Sequence, residues 1–130
     1  MIKIILTLIL ITLSLQADHV RWLGNYDKAL EKAHDELKPL MVFLVKKECS
    51  SCNDILKDVL MNQAYIKQLN ETFIPVIVTY ESRASYPIEM YYSTTFPTLF
   101  FVNSFSESFL TNPLYDKSIT PKAIQKFLDE

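Results

Sequence analysis

A single glycine, Gly24, in 130 residues leaves no glycine-rich loop whose backbone amides could close around a phosphate, so nucleotide binding has no support. A surplus of one charge is also missing. The 13 basic and 15 acidic residues give a formal charge of −2, which provides no electrostatic case for a nucleic-acid partner. Histidine is confined to His19 and His34, and cysteine to Cys49 and Cys52. No apolar run reaches the roughly 20 residues that a membrane-spanning helix requires. Internal repeats and low-complexity segments are absent. The length leaves room for one core, since domains usually occupy about 100–200 residues. A hydrophobic content of 49% and an aromatic content of 12% suit one globular unit.

The longest apolar stretch, Ile4 to Leu15, follows Met1, Ile2 and Lys3 and is closed by Gln16 and Ala17. A charged end, about a dozen apolar residues and a small residue ahead of polar Asp18 form a signal-peptide pattern over residues 1–17. Cleavage is expected after Ala17, leaving residues 18–130 as a soluble domain in the periplasm or outside the cell. Without Lys3, 12 basic residues face 15 acidic ones, a formal charge of −3. No cysteine follows closely enough to carry a lipid.

From Tyr26 the apolar residues Tyr26, Ala29, Leu30, Ala33 and Leu37 recur three or four apart, predicting a helix that stops near Lys38, ahead of Pro39. Leu40 to Val45 is continuously apolar and reads as a strand buried on both faces. Beyond Cys49, the positions Cys52, Ile55, Leu56, Val59 and Leu60 repeat at helical spacing. A shorter helix is expected over Gln63 to Leu69, then a strand over Phe73 to Tyr80 with Pro75 near its start. Strand, helix, strand makes a parallel crossover unit. Glu81 to Ser85 reads as a loop and Pro87 to Tyr92 as a short helix, with Tyr86, Tyr91 and Tyr92 as exposed aromatics. Leu99 to Val102 is a strand, and Phe105 to Leu110 alternates as if to pair with it through a turn at Asn103-Ser104. Thr120 as cap, Pro121 in the first turn and the apolar face of Ala123, Ile124, Phe127 and Leu128 end the chain in a helix. The order is that of an α/β protein.

The two cysteines are separated by Ser50 and Ser51, and a bridge between them closes only a four-residue loop. Such a bridge removes little entropy from the unfolded chain and is a weak staple. Half of a zinc site is the other reading of a CxxC pair, but it needs two further ligands, and His19 and His34 do not form a second metal-binding pair. Thiol–disulfide exchange fits the spacing better. Its attacking species is a thiolate, which a free cysteine near pKa 8.5 supplies poorly at neutral pH. At a helix start, unpaired backbone N–H groups and the helix dipole favour the anion. The hydroxyls of Ser50 and Ser51 can add donors, and Lys46 and Lys47 lie close in sequence. Cys49 is therefore expected to be the exposed nucleophile, and Cys52, three residues on along the same helix face, the resolving thiol.

A CxxC between a buried strand and a helix, with Thr95-Phe96-Pro97-Thr98-Leu99-Phe100-Phe101 about 45 residues later, resembles the thioredoxin superfamily. Lys38 to Val42 and Phe96 to Phe101 resemble especially the C-terminal periplasmic domain of the membrane electron-transfer protein DsbD. The pattern of Trp22, Tyr26, Ala29 and Ala33 is similar to that of small secreted thioredoxin-like proteins. The resemblance implies a thioredoxin-like fold, a central mixed four-stranded sheet flanked by helices. It also implies a cis bond before Pro97, with Phe96 offering backbone groups to an extended substrate. The implied function is an exported thiol:disulfide oxidoreductase without a bound cofactor or metal. It would act on protein thiols and disulfides as a monomer, more as a reductase fed by a membrane electron donor than as an oxidase. A client-binding module that does no chemistry is the alternative. Thioredoxins usually carry a buried acid six residues before the first cysteine, where this chain has Phe43. They also have a Trp before the motif and Gly-Pro inside it, where this chain has Glu48 and Ser50-Ser51. These departures leave the direction of electron flow open.

Overall fold

Leu40 to Val45 forms the strand around which the rest is arranged. In the computed structural model, which describes residues 19–82 and 86–130, this strand, β1 (Leu40–Val45), pairs with a neighbour on each edge. β2 (Ile74–Thr79) runs parallel to it, from Leu40↔Ile74 to Val45↔Thr79. β3 (Thr98–Val102) runs antiparallel, from Leu40↔Val102 to Leu44↔Thr98. The two-residue β4 (Leu114–Tyr115) pairs antiparallel with β3 and completes a mixed sheet in the order β2-β1-β3-β4. The expected signal segment, residues 1–17, lies outside the described residues, as does the centre of the expected loop, residues 83–85. Among the described residues no helix is long and apolar enough to cross a membrane.

Alternation along β1 supplies both cores, because successive side chains point to opposite faces. Met41 and Phe43 share a core with Ile55 and Leu56 of α2 (Ser50–Asp58), Val59 and Leu60 directly after it, Ile66 and Leu69 of α3 (Ile66–Thr72) and Ile124 of α4 (Pro121–Asp129). Leu40, Val42 and Leu44 meet α1 (Tyr26–Glu36) through Tyr26, Ala29 and Ala33, together with Tyr91. α1 starts where Asn25 Oδ1 accepts the Lys28 N–H at 2.9 Å. It stops at Leu37, which takes the left-handed conformation (φ 55°) while the Lys38 N–H reaches the Ala33 carbonyl at 2.9 Å. That position usually belongs to glycine. In this glycine-poor chain Leu37 occupies it and Pro39 follows. α4 is capped as its sequence predicts, with Thr120 Oγ1 accepting the Ala123 N–H at 3.1 Å. Tyr26 donates to Glu107 Oε1 at 2.9 Å and sits 2.8 Å from the Tyr91 hydroxyl. Burial first, then these bonds, hold the Tyr26 phenol far above its usual pKa.

Four local expectations change. The helix expected over Gln63 to Leu69 begins three residues later, at Ile66, because Asn62 Oδ1 takes the Ala64 N–H at 2.9 Å and Tyr65 donates its hydroxyl back to the Val59 carbonyl, holding 62–65 as a turn. Pro87 to Tyr92 makes a single turn closed by Met90 and Tyr91 N–H bonds to the Pro87 carbonyl, too few residues to repay helix nucleation. Tyr91, expected at the surface, is 1% exposed under that turn, whereas Tyr92 is 63% exposed. Phe105 to Leu110 is not a strand. Asn103 Oδ1 accepts the N–H groups of Phe105 and Ser106, Glu107 turns left-handed (φ 53°), and one bridge, Val102↔Phe109, remains. The partner of β3 is Leu114–Tyr115, after Pro113.

The aromatic contacts below the sheet give a direct check on this packing. Phe101 is fully buried, 4.2 Å from the Phe127 ring and 5.1 Å from the Phe73 ring, centroid to centroid. Phe101→Ala is expected to cost about 3–5 kcal/mol in chemical denaturation. A loss under about 1 kcal/mol would show that α4 does not pack on β3 as described.

Candidate functional site

The site forms where β1 runs out of the sheet. Its last residue, Val45, is held by the Tyr80 N–H at 2.8 Å, and Lys46, Lys47 and Glu48 then carry the chain over the sheet edge as an exposed turn. Glu48 takes the left-handed conformation (φ 54°) directly before Cys49, an uncommon state for a residue with a Cβ. That turn sets Cys49 as the N-cap of α2, where its sulfur accepts the Cys52 N–H at 3.1 Å. Sulfur thus stands in for the oxygen that usually satisfies a free amide at a helix start.

Cys49 and Cys52 are joined as a disulfide, with sulfurs 2.00 Å and Cα atoms 5.2 Å apart. Cys49 was expected to be exposed, yet it is only 8% accessible against 4% for Cys52. Both cysteines are buried, and the difference in access between them is small. Ser51 lies half-buried with Oγ 3.6 Å from Cys49 Sγ, and donates to the Phe96 carbonyl at 3.2 Å. Ser50, the other expected donor, is exposed in the same helical turn.

Phe96 and Pro97 come to the cysteines from the loop before β3, with a cis peptide bond between them. Pro97 is buried, and its carbonyl accepts the Asp116 N–H at 2.9 Å. Sequence reasoning did not find what surrounds Phe96. The Lys46 ammonium stands 5.6 Å from the ring centroid and the Tyr80 ring lies 5.4 Å away, so a lysine expected only to lie near the cysteines in sequence is placed over an aromatic face. Lys46, directly after a buried strand, and Phe96, directly before Pro97, are 50 residues apart, and no spacing rule connects them. A recess of about 230 Å³ is lined by Cys49 and Cys52 together with Phe43, Val45, Leu56 and Ile77, with Lys46, Glu48 and Asn53 completing its lining. Phe43 is 1% exposed and points an aromatic ring, not an acid, toward this space.

The histidines lie elsewhere. His34 Nε2 is 2.6 Å from the Ser104 carbonyl and its ring stacks on Phe105 at 4.8 Å. Ser104 follows Val102, which pairs with Leu40 at the start of β1, so His34 is at the other end of the sheet, roughly 17 Å along the strand from the cysteine end. His19 gives its carbonyl to Asn70 Nδ2 at 2.8 Å.

Residues 21–104 match a family model described as thioredoxin-like. The chain belongs to the thioredoxin-like family. Comparison with curated proteins by sequence finds no match. Among solved structures, this thioredoxin-like chain is similar to a thioredoxin from Thermus thermophilus at 20% identity and a TM-score of 0.70, covering 86% of each chain. It is similar to a candidate disulphide-isomerase from Bacteroides thetaiotaomicron at 26% identity and a TM-score of 0.67, over 86% of this chain and 93% of the other. It is also similar to the oxidised C-terminal domain of DsbD from Neisseria meningitidis at 21% identity and a TM-score of 0.56, over 82% and 97%. The first and last are likenesses of fold. A thioredoxin-like fold carrying a CxxC pair at bonding distance supports a thiol:disulfide oxidoreductase.

The loop that presents Phe96-Pro97 is pinned from below. Buried Thr98 donates its hydroxyl to the Thr95 carbonyl at 2.7 Å and stands 2.9 Å from Ser93 Oγ, which reaches the same carbonyl at 2.9 Å. Thr98→Val keeps the shape and removes the donor, so it is expected to lower stability by about 1–2 kcal/mol in urea denaturation. An unchanged midpoint would mean that the loop is held by something else.

Proposed function

We propose that the protein is an exported thiol:disulfide oxidoreductase that reduces disulfides in partner proteins, with Cys49 as nucleophile and Cys52 as resolving thiol. The observation that carries this reading is the Cys49 sulfur capping α2, accepting the Cys52 N–H at 3.1 Å, beside the Phe96-Pro97 peptide. A donor already aimed at sulfur favours the thiolate, since hydrogen bonds to an ionised acceptor are about twice as strong as neutral ones. The dipole of α2 acts in the same direction.

In the reduced protein, the Cys49 thiolate attacks one sulfur of a client disulfide. A Cys49–client bond forms, the client S–S bond breaks, and the leaving client thiolate takes up a proton. Cys52 then gives up its proton and attacks Cys49 Sγ, closing the Cys49–Cys52 bond and expelling the second client thiolate, which is protonated in turn. Two electrons pass from the pair to the client, which takes up two protons, one that Cys52 gives up and one from water, where Cys49 left its own on ionising. Phe96 and Pro97 border the sulfurs and form the surface on which an extended client segment docks. A membrane dithiol donor returns the pair to the reduced state. The apolar segment Ile4 to Leu15 supports export to the periplasm or beyond. The likeness to a candidate disulphide-isomerase at 26% identity supports the same exchange chemistry. The monomer is the working unit in this reading.

A second reading, a module that holds clients without exchanging disulfides, draws on Phe43, which leaves no acid under Cys52 to take its proton. Trapping separates the two. In Cys52→Ser the mixed disulfide cannot be resolved, so this variant is expected to accumulate client adducts on Cys49, visible on non-reducing gels and lost with dithiothreitol. Cys49→Ser is expected to abolish insulin reduction. Absence of adducts in Cys52→Ser, or full activity in Cys49→Ser, would reject catalysis by this pair.

A further inference from the structure

Ser51 has one hydroxyl proton and two acceptors within reach, Cys49 Sγ at 3.6 Å and the Phe96 carbonyl at 3.2 Å. Which acceptor takes the proton depends on the state of the sulfur. A disulfide sulfur carries no proton and accepts weakly, whereas an amide carbonyl is a strong acceptor, so in the oxidised pair the proton goes to Phe96. A thiolate reverses the preference, because a charge-assisted hydrogen bond is about twice as strong as a neutral one. We propose that Ser51 is a redox-linked positioning residue: its hydroxyl caps the Phe96 carbonyl while Cys49 and Cys52 are bonded, and swings to the Cys49 thiolate when they are reduced, opening that carbonyl to an extended peptide.

The inference rests on the exchange reading above and adds to it a regulation of client binding at the same site. The reduced protein, which must meet a disulfide-bearing client, has the Phe96 carbonyl free to accept a client N–H. Once two electrons have passed to the client and both of its thiolates have been protonated, the Cys49–Cys52 bond has re-formed and Ser51 returns to the carbonyl, competing with the product for it. The other groups at the pair do not duplicate this role. The Cys52 N–H already points at Cys49 Sγ, and Lys46 stands over the face of the Phe96 ring, not its carbonyl. Ser50 is exposed. The arrangement favours a reductase, since it admits clients to the reduced form and releases them from the oxidised one.

Phe96-Pro97 is the one Phe-Pro bond in the sequence, so a chain labelled with carbonyl-13C phenylalanine and 15N proline gives a single carbonyl signal from this residue. On reduction with dithiothreitol that signal is expected to move upfield, as a carbonyl losing a donor does. In Ser51→Ala it should sit at the reduced position in both states, and Ser51→Thr should restore the movement. Binding is read with S-carboxymethylated insulin B chain, an extended peptide without free thiols. Oxidised Ser51→Ala is expected to bind it about three- to tenfold more tightly than the oxidised natural chain, the range that one hydrogen bond supplies, while the reduced proteins bind it equally. A carbonyl signal that stays still on reduction, or moves as far in Ser51→Ala, overturns the switch. Equal B-chain affinity of the two oxidised proteins overturns its coupling to clients. These failures are separate from failure of the exchange reading, which is scored by adducts in Cys52→Ser.

Discussion

β1 is bonded on both edges and covered on both faces, and that enclosure places every part of the site. Leu40, Val42 and Leu44 face α1 while Met41 and Phe43 face α2, α3 and α4, so the strand has little freedom to slip. A one-residue shift would exchange the two sets of side chains and put each against the wrong helices. With register fixed, the chain leaves the sheet at Val45 in one direction only. Three residues and one left-handed turn later, Cys49 starts α2. The antiparallel neighbour β3 is fixed by the same register, so the loop before it brings Phe96-Pro97 to the same sheet end. The sulfurs and the peptide facing them are therefore set by one strand and the two that flank it.

What is unusual about the site is the balance of polar groups around the pair. The sulfur nearer the surface has the Cys52 amide aimed at it at the start of α2, with Ser51 Oγ 3.6 Å away. The deeper side has Phe43, Val45, Leu56 and Ile77, which solvate no charge. In the exchange proposed above, this balance would favour an anion at Cys49 over one at Cys52 without a buried acid. In that reading the cost falls on resolution, where Cys52 would have to lose its proton, and the exposed turn with Lys46 and Glu48 at the recess is the polar lining from which water can approach.

Much of this was legible in the sequence, for reasons particular to its segments. A six-residue apolar run between Pro39 and a pair of lysines fits a buried strand, and Thr120-Pro121 marks a helix start by capping chemistry alone. The cysteine spacing, a strand before it and a helix after it placed the pair at a helix start, and the resemblance gave the cis bond before Pro97. Segments governed by single side chains were not legible. Asn62 and Asn103 each turn their amide oxygens onto nearby N–H groups and replace a helix turn and a strand with tight loops. Glycine usually announces left-handed turns, but here Leu37, Glu48, Glu81, Glu107 and Asp116 take them, so the turns carried no compositional mark. The links from Lys46 and Ser51 to Phe96 join residues 45–50 positions apart and arise only when β1 and β3 are paired.

The central claim is that Cys49 and Cys52 are a working redox couple poised on the reducing side. A redox titration of the pair against glutathione or dithiothreitol buffers, read by the mass shift on alkylation, tests it directly. One two-electron transition is expected at a potential more negative than about −200 mV, in the range of reductants on this fold. A midpoint near about −120 mV, the range of strong oxidants, would contradict the reductase assignment, and a pair that no such buffer reduces in the folded protein would contradict redox function altogether.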